Sequence, residues 1–310
     1  MIRYLAAAAT LKAFSSGHGM RRLYRSVGNV LGPRRVRRGL NRNYLNRAHD
    51  FLNLVRKLDA IHDGDRILEL GTGWVHWEST FIRLFYDTRA TLFDVWDNRQ
   101  LPAFKKYFAD LGEVIDHEIE VRPEERTRVH TLLRTVSSIG SFGELYSRIG
   151  SEYVINPSGR LDRLPSGSFN AIFSCSVLEH VKKDILPQYT RDFCRLLKPG
   201  GYSIQTIDIG DHLSYYDDHV CPKYYLRYSD PVWERWFEND LQYFNRVQRS
   251  EWLQLFAGSG LELVAIEEEL LPSGVCEHPI AEQYRNLNGR DLDCTTLKIV
   301  HRKPLERTSE

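Results

Sequence analysis

Apolar residues Leu45, Phe51, Leu52, Leu54, Val55 and Leu58 recur at helical spacing and predict a helix over residues 45–61. The "DGD" of Asp63 to Asp65 breaks that pattern. "RILEL" then reads as a buried strand that runs into two glycines, Gly71 and Gly73. Residues 76–88 read as a helix, "ATLFDV" as a second strand, and "LPAFKKYFADLG" as the helix behind it. Residues 115–150 alternate charged and apolar positions in helical style. "EYVI" reads as a short strand and "FNAIFSCS" as a stronger one. "LEHVKKDILPQYTRDFCRLLKPGG" reads as one helix stopped by Pro199 and two glycines, and "YSIQTID" as the strand after it. A helix at "SEWLQLFAGSG" and strands at "LELVAIEEEL" and "TTLKIVHR" close the pattern. Alternation at this spacing predicts an α/β fold. It is a Rossmann-like, seven-stranded, mostly parallel sheet with helices on both faces.

Two stretches stand apart. Residues 209–250 carry a dense aromatic set in "YYDDH", "KYYLRY" and "WERWFENDLQYF", and predict a helical, aromatic insertion after the fifth strand. Residues 1–44 predict a separate basic arm. Residues 1–50 hold eleven Lys or Arg and one acid, Asp50, so they carry +10 against a whole-chain charge of +1. The remainder carries −9, an acidic body behind a basic arm. The opening "MIRYLAAAATLKAF" is too short an apolar run for a secretory signal and has no clear cleavage site. An amphipathic helix plus a basic linker, able to touch an anionic membrane surface, competes with a solvated face and with an organellar transit peptide.

No run of about 18 uninterrupted apolar residues predicts a transmembrane helix. The five cysteines are scattered with no CxxC pair, which argues against a zinc knuckle or a disulfide framework. These features together suggest a cytoplasmic protein, at most peripheral to a membrane.

The candidate chemistry centres on "RILELGTGWVHW". A glycine-rich turn between strand and helix lets a ligand approach the backbone closely. In open α/β sheets the ligand sits beyond the carboxyl ends of the strands. A dinucleotide fingerprint, GxGxxG, would need its third glycine at His76, so it fails here. Asp94, 21 positions after Gly73, could bind ribose hydroxyls of either a dinucleotide or S-adenosylmethionine.

The order "ILELGTG", "LFD", "LPSGSFNAIFSCSVLEHV", "LLKPGGYSIQTID" resembles the class I S-adenosylmethionine-dependent methyltransferases, and among them the type 11-like group. The resemblance covers roughly residues 60–208 and the terminal strands. It implies a methyltransferase domain over residues 45–310, with 209–250 as an acceptor cap, and S-adenosylmethionine as cofactor. It places Glu69 near the methionine amino group, Gly71, Thr72 and Gly73 along the cofactor, and Asp94 on the ribose. Asp97 is an alternative for the ribose, and capping the next helix is an alternative role for Asp94. Ser174 and Cys175, ending the fourth strand, would line the sulfonium pocket.

Three departures stand out. Val75 replaces the usual third glycine, beside a bulky Trp74. Asn170 replaces the acid of "SFD". The acid expected near the adenine has no aligned match, since Arg160 holds the nearest position and Asp162 falls two residues later.

Methyl transfer needs an aimed nucleophile, a dry site and, for a hydroxyl or ammonium, a base. His212, past the fifth strand, and His180, in "VLEHV", are the candidate bases. Tyr215, Tyr216, Tyr224 and Tyr225 would shape the acceptor pocket, with Asn245 and Arg246 as polar contacts at its far end. The acids and histidines of 208–219 read as solvated, and no metal site is expected. The acceptor expected is a small molecule or a glycan-like group. A degenerate fold used as a binding scaffold is the alternative. Nucleic-acid methylation fits less well, because the body is acidic and "INPS" at Ile155 to Ser158 is misplaced for the "NPPY" type of motif.

Overall fold

The computed structural model describes residues 1–17, 19–20, 39–272 and 274–305. Seven strands form one sheet in the order β3-β2-β1-β4-β5-β7-β6. They are β1 (Arg66–Leu70), β2 (Arg89–Asp94), β3 (Glu152–Ile155), β4 (Phe169–Cys175), β5 (Leu197–Asp208), β6 (Glu262–Leu270) and β7 (Cys294–Arg302). β1 pairs in parallel with β2 and β4, and β2 with β3; β6 and β7 pair antiparallel. This is the expected Rossmann-like sheet. The chain divides into two compact units, one of residues 28–174, 195–203 and 303–310, the other of residues 1–27, 175–194 and 204–302.

In the first unit the apolar run of β1 is buried between its two neighbours, as parallel strands require. The chain leaves β1 for β2 on one side and returns as β4 on the other, so the loop after β1 lies at the switch point. Helix α2 (Arg42–Leu58) opens with Asn41 accepting the Asn43 amide. It ends before the expected Ile61 because Asp59 turns left-handed, φ 51°. Helix α3 (Trp77–Phe85) follows the glycine loop; its buried Trp77 ring packs 4.9 Å from Phe108 and donates its N–H to the Tyr44 carbonyl. Helix α4 (Leu101–Glu118) runs longer than its sequence pattern. The continuous helical style of 115–150 resolves into α5 (Arg126–Ser138) and α6 (Phe142–Ile149), separated where Ser141 caps the second.

The long helix expected over 178–201 is not formed as one piece. Leu178–His180 is a 3₁₀ turn, Val181 and Lys182 are extended, and helix α7 covers only Leu186–Leu196. Pro187 sits in the first turn of α7, where its missing N–H costs nothing. The "LKPGG" stretch belongs to β5. A side chain at Gly201 would put its Cβ 2.8 Å from the Asn170 carbonyl, so only glycine fits there.

In the second unit, helix α1 (Ile2–Ser15) packs against the 209–250 segment, so this part of the expected arm is joined to the fold. Tyr4, Ala8 and Leu11 fall on one face and enter a buried cluster with Leu213, Tyr225 and Trp233. The Tyr4 hydroxyl donates to Asp211 at 2.9 Å, and Lys12 donates to the Glu234 carbonyl. The clusters within 21–38 that carry most of the arm's charge lie outside the described residues.

The 209–250 segment is mostly turns, with one seven-residue helix, α8 (Asp230–Trp236). Helices α9 (Arg249–Ala257) and α10 (Gly289–Asp293) follow. Cys221 and Cys276 form a disulfide with Cα atoms 5.5 Å apart, which corrects the reading against disulfides, while Cys175, Cys194 and Cys294 are free. No helix among the described residues is long and apolar enough to cross a membrane.

Candidate functional site

The loop after β1 is built by two left-handed glycines, Gly71 at φ 62° and Gly73 at φ 63°. The Gly71 amide donates to the Phe93 carbonyl at 2.8 Å, which ties the loop to the end of β2. A Cβ on Gly73 would meet nothing nearer than the Gly71 carbonyl at 3.9 Å, so open space lies on that side of the turn. Val75 is buried and fills the place of the family's third glycine. His76 takes a left-handed conformation, φ 43°, and is wholly buried. One of its ring nitrogens lies 2.7 Å from the Thr72 hydroxyl and the other 2.9 Å from the Tyr146 hydroxyl. Burial lowers its pKa to about 3, so the ring is a neutral brace. The Thr72 hydroxyl is thus turned to the buried His76. His76 was missed as a site residue; its one sequence signal is its place where a fingerprint glycine would stand.

Two carboxylates flank this loop. Asp94, at the end of β2, is buried and accepts the Gly73 amide at 3.1 Å and the Val95 amide at 2.7 Å. Burial raises its pKa, with the amide hydrogen bonds opposing. It does not cap α4, whose first turn has no side-chain cap. Asp97 is instead held by the Arg99 guanidinium through two contacts, at 2.8 and 2.6 Å. Glu69 is buried near the end of β1 and accepts the Ser79 amide in the first turn of α3 at 2.9 Å. Burial, and then the charge of Glu78, push its pKa well above the usual carboxylate range.

The remaining cofactor candidates are less uniform. Ser174 is buried and Cys175 half-buried at the end of β4. Asp162 is exposed in a turn. Asn170, at the "SFD" departure, accepts both the Arg66 amide at 3.2 Å and Lys198 Nζ at 2.8 Å. Its carbonyl oxygen performs a structural task, so the missing acid there is no sign of decay.

The second unit holds its own polar cluster. Glu179 is wholly buried, and neither carboxylate oxygen has a hydrogen-bond partner among the described residues. Burial, and then the charge of Asp208, raise its pKa well above normal. His180 is exposed, with Nδ1 2.6 Å from the Tyr243 carbonyl. A carbonyl only accepts, so Nδ1 carries the hydrogen and Nε2 keeps a lone pair. The His180 and His212 ring centroids lie 5.0 Å apart. His212 packs between Tyr215 and Phe244, with Nε2 3.4 Å from the Asp208 carboxylate. Burial favours the neutral form of Asp208, but the His212 and Tyr215 contacts outweigh it and keep its pKa low.

The expected acceptor tyrosines divide. Tyr215 and Tyr216 are exposed, and the Tyr215 hydroxyl donates to Asp208. Tyr224 and Tyr225 are buried. Tyr225 is fixed by the Ile209 carbonyl and Gln248, and Tyr224 by Arg227. Asn245 and Arg246 line a groove of about 390 Å³, but their polar atoms are spent on the fold. Asn245 donates to the Leu178 and Val181 carbonyls at 2.8 and 3.0 Å, which shapes the turn carrying Glu179 and His180. Arg246 binds the Tyr228 carbonyl and Asp230.

A family model described as a methyltransferase domain matches residues 20–266. Comparison with curated proteins finds no match. Among solved structures, a SAM-dependent methyltransferase from Methanosarcina mazei is 15% identical, with 80% of this chain and 96% of that chain covered and a TM-score of 0.44. Phosphoethanolamine N-methyltransferase 2 of Haemonchus contortus, in complex with S-adenosyl-L-methionine, is 14% identical, covering 82% and 52%, at 0.44. A methyltransferase from Mesorhizobium loti is 16% identical, covering 84% and 100%, at 0.44. The family match spans well over half the sequence and the sheet carries the family's strand order, so the chain belongs to the class I S-adenosylmethionine-dependent methyltransferases, with S-adenosylmethionine as its cofactor.

Proposed function

We propose that this chain methylates an oxygen or nitrogen of a small-molecule or glycan-like acceptor. The residues present suit the cofactor. The left-handed glycine loop offers open space, Asp94 suits a ribose diol, and Glu69 suits an α-ammonium group. S-adenosylmethionine supplies an electrophilic methyl group on a sulfonium. When bound, it would give that methyl group to an acceptor lone pair and keep the electron pair of the broken carbon–sulfur bond. A hydroxyl or ammonium acceptor also sheds a proton. We assign that proton to His212, whose imidazolium the nearby Asp208 carboxylate would stabilise. His180, with its Nε2 lone pair available, is the second candidate base.

The acceptor class rests on one observation, the groove in the second unit. Its volume of about 390 Å³ suits a sugar residue or small metabolite. Its walls carry four acids, Asp230, Glu234, Glu238 and Glu251, against two bases, Lys183 and Arg246, which pair with Glu251 and Asp230; the remaining excess of negative charge disfavours a phosphodiester backbone. Neither Val75 nor Asn170 favours the scaffold reading, since both have structural tasks.

The test uses S-adenosylmethionine labelled in its methyl group. Purified protein is incubated with separated small-molecule, oligosaccharide, protein and nucleic-acid fractions. Label should enter the small-molecule or oligosaccharide fraction. Label confined to nucleic acid or protein would overturn this reading.

A further inference from the structure

Glu179, His180 and His212 form a cluster that the methyl-donor site does not use. One carboxylate oxygen and one ring nitrogen of each histidine lie within 4.8 Å of one another. Glu179 is fully buried, and both its oxygens lack a hydrogen-bond partner among the described residues. Such a carboxylate is costly unless a cation or donor meets it. The His180 ring is arranged as a ligand usually is, and the His212 Nε2 is buried with no hydrogen-bond partner among the described residues. His180 donates Nδ1–H to the Tyr243 carbonyl, the outer contact that fixes a ligating tautomer and presents Nε2. His212 has an oriented ring and a carboxylate, Asp208, 3.4 Å from its Nε2. Asn245 fixes the backbone turn that carries Glu179 and His180, so the cluster is organised before any ion arrives.

We propose that Glu179, His180 and His212 bind one divalent transition-metal ion. Two imidazoles and one carboxylate suit zinc, manganese or iron better than calcium or magnesium. Three protein ligands leave coordination positions open, and the exposed face of His180 gives solvent access to the site. In the methyltransferase reading, on which this role rests, an open position holds the acceptor's oxygen. With the ion bound, that hydroxyl's proton is lost to water, and the ion takes over the task assigned above to His212 in the metal-free site.

The test is Mn²⁺ binding by the full chain, cleared with a chelator and titrated without methyl donor. Mn²⁺ is chosen because it avoids the sulfur-rich neighbourhood of Cys221, Cys276 and His278. Calorimetry should give one ion per chain, and the paramagnetic resonance signal of free Mn²⁺ should fall in step. Glu179→Gln and His212→Gln should each weaken binding tenfold or more, while His278→Ala should leave it unchanged. Circular dichroism identifies any variant that fails to fold; if Glu179→Gln does, His212→Gln decides. Absence of binding by the wild-type chain, or unchanged affinity in the folded variants, overturns the site. S-adenosylhomocysteine binding, measured on the same samples, tests the methyltransferase reading separately. Donor binding without metal overturns this inference alone, and metal without donor supports the site and overturns the reading on which its role rests.

Discussion

Glu69 illustrates how one residue's surroundings set its chemistry. Buried and close to Glu78, it binds its proton more tightly than a free carboxylate does. A positively charged amino group brought beside it would reverse that balance and drive the proton off. Donor binding near neutral pH should therefore release a proton, seen as an enthalpy that changes with the ionisation heat of the buffer. Glu69→Gln should remove that buffer dependence. An unaltered dependence in the variant would place the released proton elsewhere. At this scale the sequence was partly legible. Gly71, Gly73 and Asp94 stand out as candidates because a glycine turn and a strand-end acid are local signals. The surroundings of Thr72, Tyr224, Tyr225, Asn245 and Arg246 were not legible, because the direction of a side chain depends on distant partners. Asn245, for example, bonds carbonyls more than 60 residues away. Glu179 stands beside the His180 that the sequence did single out. Its role was hidden because burial without a partner is a property of the fold.

Among the elements, the strands were the most legible. Buried strands are short apolar runs, and six of the seven lie within one residue of their expected bounds, while β5 opens five residues early, at Leu197. The 178–201 helix was not, because Val181 and Lys182 are extended and Asn245 takes the turn's carbonyls. The packing of helix α1 was not legible, because its buried stripe is only Tyr4, Ala8 and Leu11 in an alanine-rich run. Its anchor gives a pH-dependent test. Asp211 accepts the Tyr4 hydroxyl, and burial pushes its pKa up to about 6, against about 3.9 in an unfolded chain. The folded state holds this proton more tightly, so the contribution is fully present below about pH 4 and is lost as pH rises through about 6. Asp211→Asn should flatten that part of the profile, read as the difference in melting temperature between pH 4.5 and pH 7 for both proteins. The same slope in both would show that Asp211 is not its source.

At the scale of the whole molecule, charge is unevenly spread along the chain, with +10 in residues 1–50 and −9 beyond them. With α1 packed in the fold, the arm's surface role falls to its basic residues after α1. We propose that these residues bring the enzyme to an anionic membrane, at about 1 kcal/mol for each basic residue near the surface. Replacing Arg34, Arg35, Arg37 and Arg38 by Gln should weaken sedimentation with anionic vesicles, and salt should weaken it in the wild type. Equal sedimentation of both proteins would count against that role. The central claim is that the glycine loop and Asp94 hold the methyl donor, and calorimetric titration with S-adenosylhomocysteine tests it most directly. The wild-type chain should bind at micromolar strength. Gly73→Arg should abolish binding by filling the open side of the loop, and Asp94→Ala should cost about 1.5–3 kcal/mol, the loss expected for hydrogen bonds to a charged acceptor. Unchanged affinity in both folded variants would contradict the account.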